Sequence, residues 1–305
     1  MKNKLSIFFV LSSVLVILLS CEKDNVHYYA SQSNDLVVLA EINQQDSAMV
    51  NLSLAKADFP AVNNASVRLY QVQTGNYYQL VSKGKGNYMG LSQAAGTSYK
   101  LSVQYNEKFY ESIQTIPAPF KLSIHDVDQS SMRIVLDTEQ NPERYFTFEL
   151  LARFYRIRYF QIINNQRSEI TSDSALLNFT HKNQAAAIIS DTNYVGEMVR
   201  IPLLTDDART ENVKYNELKD AMGRVFLKAK DAGLLKLDVA FNRAHNAVLF
   251  LKVKSVTPDY FNYLYSMDLQ MANRSIGLYN IALKGNINGG LGIFGAAYTA
   301  QLIVP

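Results

Sequence analysis

Between Leu36 and Ile116, apolar side chains alternate with polar ones in short runs separated by turn residues. A period of two is the signature of a strand with one buried face. The segments 36–42, 48–55, 65–72, 77–82, 98–105 and 107–116 read as strands. In 48–55, Val50, Leu52 and Leu54 share a face. In 98–105, Tyr99, Leu101, Val103 and Tyr105 do so. Thr74-Gly75-Asn76 and Lys83–Asn87 supply turns. Pro117-Ala118-Pro119 interrupts the series, because proline removes a ladder donor and stiffens the chain.

The pattern resumes at 121–127, 131–137 and 145–154. In the last of these, Phe146, Phe148, Leu150, Ala152 and Phe154 would face one core. Further strands are expected at 185–190, 196–203, 235–241, 246–256 and 298–304, with helices at 212–222 and 258–272. For the second helix, Thr257 can cap, Pro258 suits the first helical position and Asp259 complements the dipole. Tyr260, Tyr263, Leu264 and Met267 form its apolar stripe. Short strands at regular spacing predict a mainly β chain with two β-sandwich domains of immunoglobulin or transthyretin type. The expected domains are 35–117 and 118–305, with one or two short helices in the second.

The first 34 residues follow another pattern. Lys2 and Lys4 precede an apolar run from Leu5 to Leu19, and Glu22, Lys23 and Asp24 end it abruptly. The run is too short to span a bilayer, which takes roughly 20 apolar residues. It has the parts of an export signal, assigned to residues 1–20. Cys21 is the one cysteine of the chain, so no internal disulfide can form. Leu18-Leu19-Ser20-Cys21 resembles the lipobox of bacterial lipoproteins, which implies lipidation of Cys21 and cleavage before it. Residues 21–34 then become a lipidated cysteine and flexible tether.

Composition narrows the partners. Removing residues 1–20 brings 30 Lys and Arg down to 28, against 27 Asp and Glu. A near-neutral chain gives no reason to expect nucleic acid. Tyrosine is common (19 residues) and tryptophan absent. Tyrosine suits both half-buried strands and binding surfaces, so its abundance does not choose between them.

The ending Gly285–Ala296, GNINGGLGIFGA, resembles the closing signature of the domain-of-unknown-function 4249 family of Bacteroidetes lipoproteins. ASVRLYQVQTG, SYKLSVQYNEKFYESIQTIP and PDYFNYLYSMDLQ agree with it, and the resemblance covers essentially the whole mature chain. It implies an envelope lipoprotein, lipid-anchored at the outer membrane on its periplasmic face or at the cell surface. Such proteins are commonly encoded near TonB-dependent receptors, which implies an accessory role in capture or uptake. The resemblance brings no catalytic residue and no cofactor.

Chemical motifs are sparse. The glycines Gly289, Gly290, Gly292 and Gly295 lack the Lys-Ser or Lys-Thr of a phosphate loop. They read as a tight structural loop whose Leu291, Ile293 and Phe294 plug a core or seam. His125-Asp126-Val127-Asp128 resembles the start of a calcium loop, but Ser131 stands at the glycine position, so a solvated turn is the better reading. His27, His125, His181 and His245 show no metal-ligand spacing, and no metal site is expected. Asp206-Asp207 read as an exposed loop. Arg153, Tyr155, Arg156, Arg158 and Tyr159 interleave cations with aromatics and form the most interaction-like segment. The expected function is a binding or accessory subunit, not an enzyme. The alternatives are a cell-surface hydrolase with carboxylates assembled from separate strands, and a structural or adhesive envelope protein.

Overall fold

The computed structural model describes residues 35–56, 58–138, 145–163, 166–170, 187–207, 224–229, 233–275, 283 and 285–305. Cys21, the expected signal and tether, the expected helix 212–222, His27 and His181 lie outside them. The described chain is mainly β, with one helix.

Alternation becomes burial. Strand β1 (Leu36–Asn43) turns Leu36, Val38, Ala40 and Ile42 to one side, all 3 % exposed or less. It pairs antiparallel with β2 (Met49–Leu54), whose Val50 and Leu52 point the same way. Facing them is a four-stranded sheet. In chain order its strands are β3 (Ser66–Gln71), β4 (Tyr77–Gln79), β7 (Ser98–Tyr105) and β8 (Lys108–Thr115), arranged β4-β3-β7-β8. Val67, Leu69, Leu101 and Val103 from this sheet close a first core on the β1 and β2 residues. The expected strand 77–82 is two strands. At the buried Leu80 the chain leaves β4 and enters β5 (Val81–Gly84), which pairs with β6 (Asn87–Met89) in the other layer.

Ile116 belongs to the first core and Phe120 to a second, so the proline segment passes the chain from one to the other. The second core also lies between two sheets. One is four-stranded, order β15-β17-β10-β9, built from β9 (Lys121–His125), β10 (Ser131–Asp137), β15 (Leu203–Leu204) and β17 (Leu234–Phe241). The other contains β11 (Tyr145–Ile163) and β18 (Ala247–Val256). Met132, Ile134, Leu136, Leu237 and Val239 meet Phe146, Phe148, Leu150, Leu249, Leu251 and Val253. Pro202 splits the expected strand 196–203 into β14 (Val199–Ile201) and β15, since it has no N–H to donate. β12 (Gln166–Ile170), β13 (Ala187–Tyr194) and β16 (Val225–Lys228) each pair with β11.

The last strand joins everything. β19 (Leu291–Val304) lies between β18, antiparallel, and β1, parallel, in an 11-stranded sheet of path β12-β11-β18-β19-β1-β2-β6-β5. Side chains alternate across a strand. Phe294 and Ala296 therefore enter the first core, and Tyr298, Ala300 and Val304 meet the second from the same face. The segment 35–117 is thus completed by residues from the chain's end, Ile287 among them. The opposite face of β19 carries Ile293 and Ala297, which pack under the helix α1 (Pro258–Ser275).

β19 begins at Leu291, seven residues before the expected start at 298. The glycines that read as loop are strand residues from Gly292 onward, held by close backbone approach. Gly292 has φ +108°, and a Cβ there would sit 2.0 Å from the Val38 carbonyl oxygen. Ile293 and Phe294 are buried as expected, but Leu291 is 47 % exposed and plugs nothing.

Candidate functional site

Helix α1 sets up the site. Its first-turn hydrogen bond runs from the Phe261 N–H to the Thr257 carbonyl. The Thr257 hydroxyl, expected to cap, is buried and makes no hydrogen bond among the described residues. Asp259 accepts instead from Gln114 and Asn286, tying the helix start to the first sheet and to the turn before β19. The helix seats its aromatic stripe on the sheet. Phe261 meets Phe226 edge-on at 5.3 Å, and the Tyr260 ring lies where a Gly295 Cβ would be, 2.4 Å away. Gly295 is needed because the ring takes the space of a side chain.

Beneath α1 the sheet carries charge. The Tyr260 hydroxyl donates to Glu41 at 2.6 Å, and the Lys254 ammonium donates to the other Glu41 oxygen at 2.5 Å. Burial would push the Glu41 carboxyl up. The Lys254 charge and hydrogen bond, the Tyr260 hydroxyl and Lys252 outweigh it and hold the group below the usual carboxylate range. Burial and then the Glu41 carboxylate push the Tyr260 phenol well above its ordinary range.

A second group of charges lies on the same layer. Arg224 donates to Glu149 at 2.7 Å and to Asp268 at 3.2 Å, while Arg200 reaches Glu149 at 2.9 Å. Burial alone would raise Glu149, but Arg224 and Arg200 lower it. For Asp268, 1 % exposed, burial wins over Arg224 and Arg200, and its carboxyl is pushed up to about 6.

That last value gives a pH signature. A carboxyl whose folded pKa exceeds its unfolded value, about 3.9, contributes most below the unfolded value. The contribution is lost as pH rises through the folded one. Between about pH 4 and 6 the ionising Asp268 should therefore cost the fold roughly 3 kcal/mol. Asp268→Asn keeps the shape and removes the titration. Denaturant unfolding across pH 4–7 should show the variant gaining on the wild type with rising pH. A constant difference would show that Asp268 does not titrate there.

α1 covers β19, β16, the start of β11 and the end of β18, and leaves the face of β1, β2, β6 and β5 open. The step between helix and open sheet forms a groove of about 940 Å³. Leu39 and Glu41 of β1, Met49 and Asn51 of β2, Met89 of β6 and Lys83 of β5 line one side. Lys252 and Lys254 lie at its inner end, and Tyr263, Leu264 and Met267 form the helix wall. Nothing local in the sequence marked this place. The polar residues within apolar strands, such as Glu41 in LVVLAEI and Lys252 and Lys254 in AVLFLKVKSV, were the available signal.

The Arg/Tyr segment lies elsewhere. β11 continues past Phe154 to Ile163 and, with β12 and β13, forms a three-stranded arm. Register separates its two faces. Arg153, Tyr155, Ile157 and Tyr159 share a side with Tyr194, and the Arg153 guanidinium sits 4.2 Å over the Tyr194 ring. Ile157, Tyr159 and Tyr194 are 42, 36 and 49 % exposed. Arg156 and Arg158 point the other way. Arg158 is engaged by Glu169 through two hydrogen bonds, at 2.8 and 2.5 Å, and Arg156 is exposed. The five residues expected to act together are therefore divided, with the aromatics on one face and two arginines on the other.

The remaining motifs are local. Asp128 Oδ1 accepts from the Ser130 and Ser131 N–H groups, both at 2.6 Å, which makes a side-chain-closed turn of the HDVD segment. His125 bonds Ser123 at 3.0 Å. Asp206 is exposed and Asp207 half-buried in the loop after β15. Gly289 and Gly290 make the turn into β19, where a Gly290 Cβ would meet the Tyr110 ring at 2.6 Å.

A mainly β body with a groove beside the one helix among the described residues defines a class of architecture rather than an activity. Over residues 24–303 the chain matches the family described as Domain of unknown function (DUF4249), and it belongs to that family. No curated protein matches it. Among solved structures it is similar to the FN1–FN3 domains of chicken CNTN1, with 10 % identity and a TM-score of 0.23, over 73 % of this chain and 59 % of that one. It thus spans less than two thirds of that protein. It is also similar to a two-domain fibronectin type III segment of chicken tenascin, with 7 % identity and a TM-score of 0.20, over 89 % of this chain and 100 % of that one. Bovine butyrophilin gives 7 % identity and 0.18, over 89 % and 98 %.

Proposed function

We propose that this chain is a lipoprotein of the outer membrane, anchored through acyl groups on Cys21, and that it serves as a binding subunit accessory to a TonB-dependent receptor. The anchor reading rests on the charged start, the apolar run and the lone cysteine behind Leu18-Leu19-Ser20. The receptor reading rests on the resemblance to Bacteroidetes envelope lipoproteins. The observation that carries partner binding is the outward face of the arm, with Tyr155, Ile157, Tyr159 and Tyr194 side by side on paired strands. Rigid amphipathic rings with few rotatable bonds are favoured where proteins meet.

Two measurements test the proposal. Mass spectrometry of the purified protein should find Cys21 acylated as the first residue; a free thiol or a retained Met1 would remove the anchor. Pull-down from envelopes should recover a receptor, and Ile157→Ser with Tyr159→Ser should reduce that recovery at least tenfold. Arg156→Ala should have a smaller effect, since it lies on the other face. Equal recovery with the double variant would remove the arm as the contact.

A further inference from the structure

We infer that the groove beside α1 binds one single-chain amphiphile with an anionic head, its head at Lys252 and Lys254 and its tail on Met49, Met89 and Val81. The inference does not depend on the receptor partner.

The carrying observation is a row of side chains across four strands. Register places Glu41 opposite Met49, Met49 opposite Met89, and Met89 opposite Val81. Opposed residues of antiparallel strands project to one face, so the row runs straight from a charged end to the sheet edge. Three inter-strand steps of about 4.8 Å give a track of about 14 Å. Met49, Met89 and Val81 are 53, 37 and 58 % exposed, an apolar line left open on a sheet whose neighbouring part is covered by a helix. Methionines adapt to the shape of a flexible chain. A groove of about 940 Å³ is within the range for small-molecule sites.

Charge selects the head. Glu41 is held by Lys254 and Tyr260. Lys252 makes no salt bridge among the described residues, lines the groove, and its charge acts on Glu41, the first residue of the track. Lys83, Lys252 and Lys254 face two carboxylates in the groove, Glu41 and Asp46, so the charge on offer is net positive. A carboxylate or phosphate head fits it, and a long-chain cation would not. A bilayer surface is the less suitable occupant, because the helix wall of Leu264 and Met267 makes a step beside the track and not a flat face.

The test is isothermal titration of the purified full chain in a Cys21→Ser form that carries no acyl group, with ligands kept below micelle formation. Dodecanoate should bind one per chain. Each methylene contributes about fourfold in affinity when buried, so decanoate should bind roughly fifteenfold more weakly. Dodecyl maltoside should lose at least tenfold, and acetate should not bind. Met49→Gln, at an exposed position, should abolish dodecanoate binding while leaving thermal unfolding unchanged. Lys252→Gln should weaken dodecanoate about fivefold or more without changing dodecyl maltoside. The inference falls if dodecanoate does not bind, if both variants bind it like the wild type, or if only anionic vesicles and no monomeric amphiphile are bound.

Discussion

Gly292→Ala should destabilise the fold by about 2–6 kcal/mol, through two effects that add. A non-glycine residue held at φ +108° carries strain of about 1–3 kcal/mol. The added Cβ would also lie 2.0 Å from the Val38 carbonyl oxygen, backbone that cannot step aside without breaking the β1–β19 ladder. Overpacking of this kind costs about 1–3 kcal/mol more. At this chain size each kcal/mol moves Tm by roughly 2–4 °C, so a fall of about 10 °C is expected by calorimetry. Gly75→Ala separates the effects. Its φ is +72°, but a Cβ there meets nothing within 4 Å. It should cost about 1 kcal/mol. If the two variants unfolded together, the parallel pairing of β1 with β19 would be wrong.

The same pairing shows what the amino-acid pattern made legible. Where one face is buried and the other wet, as in β1 and β10, alternation marked the strand to within a residue or two. β19 starts seven residues before its expected bound because its first part is rich in glycine, which has low strand propensity. Tertiary approach to Val38 and to the Tyr260 ring demands those glycines, and nothing local announces that demand. β11 was followed only to Phe154 for a different reason. Beyond it the strand leaves the core for an arm with two exposed faces, and one-sided alternation stops.

The groove and the charges beneath α1 were illegible for a third reason. Tyr260 and Glu41 are 219 residues apart in sequence, and their contact exists only because β19 inserts beside β1. The Arg/Tyr cluster was visible as a string, but a string of adjacent residues on a strand is divided between two faces. Alternation could have separated Tyr155, Ile157 and Tyr159 from Arg156 and Arg158 before any coordinates.

Arg224→Met should cost about as much as Gly292→Ala, for an electrostatic reason. Arg224 is 9 % exposed at its side chain, between Glu149 at 12 % and Asp268 at 1 %. Removing one member of a buried ion pair leaves the other charge without compensation, at about 3–5 kcal/mol. Arg200 still reaches Glu149, which places the loss toward the lower end at neutral pH. Asp268 responds differently, because its carboxyl, already raised to about 6, can escape by taking up a proton. The destabilisation of Arg224→Met should therefore shrink on lowering the pH from 7 to 5. Adding Asp268→Asn to Arg224→Met removes the stranded charge and should restore at least about 1.5 kcal/mol at pH 7, a coupling that a double-mutant cycle reads directly. Additive single effects at pH 7 would mean that Arg224 and Asp268 do not share one buried network.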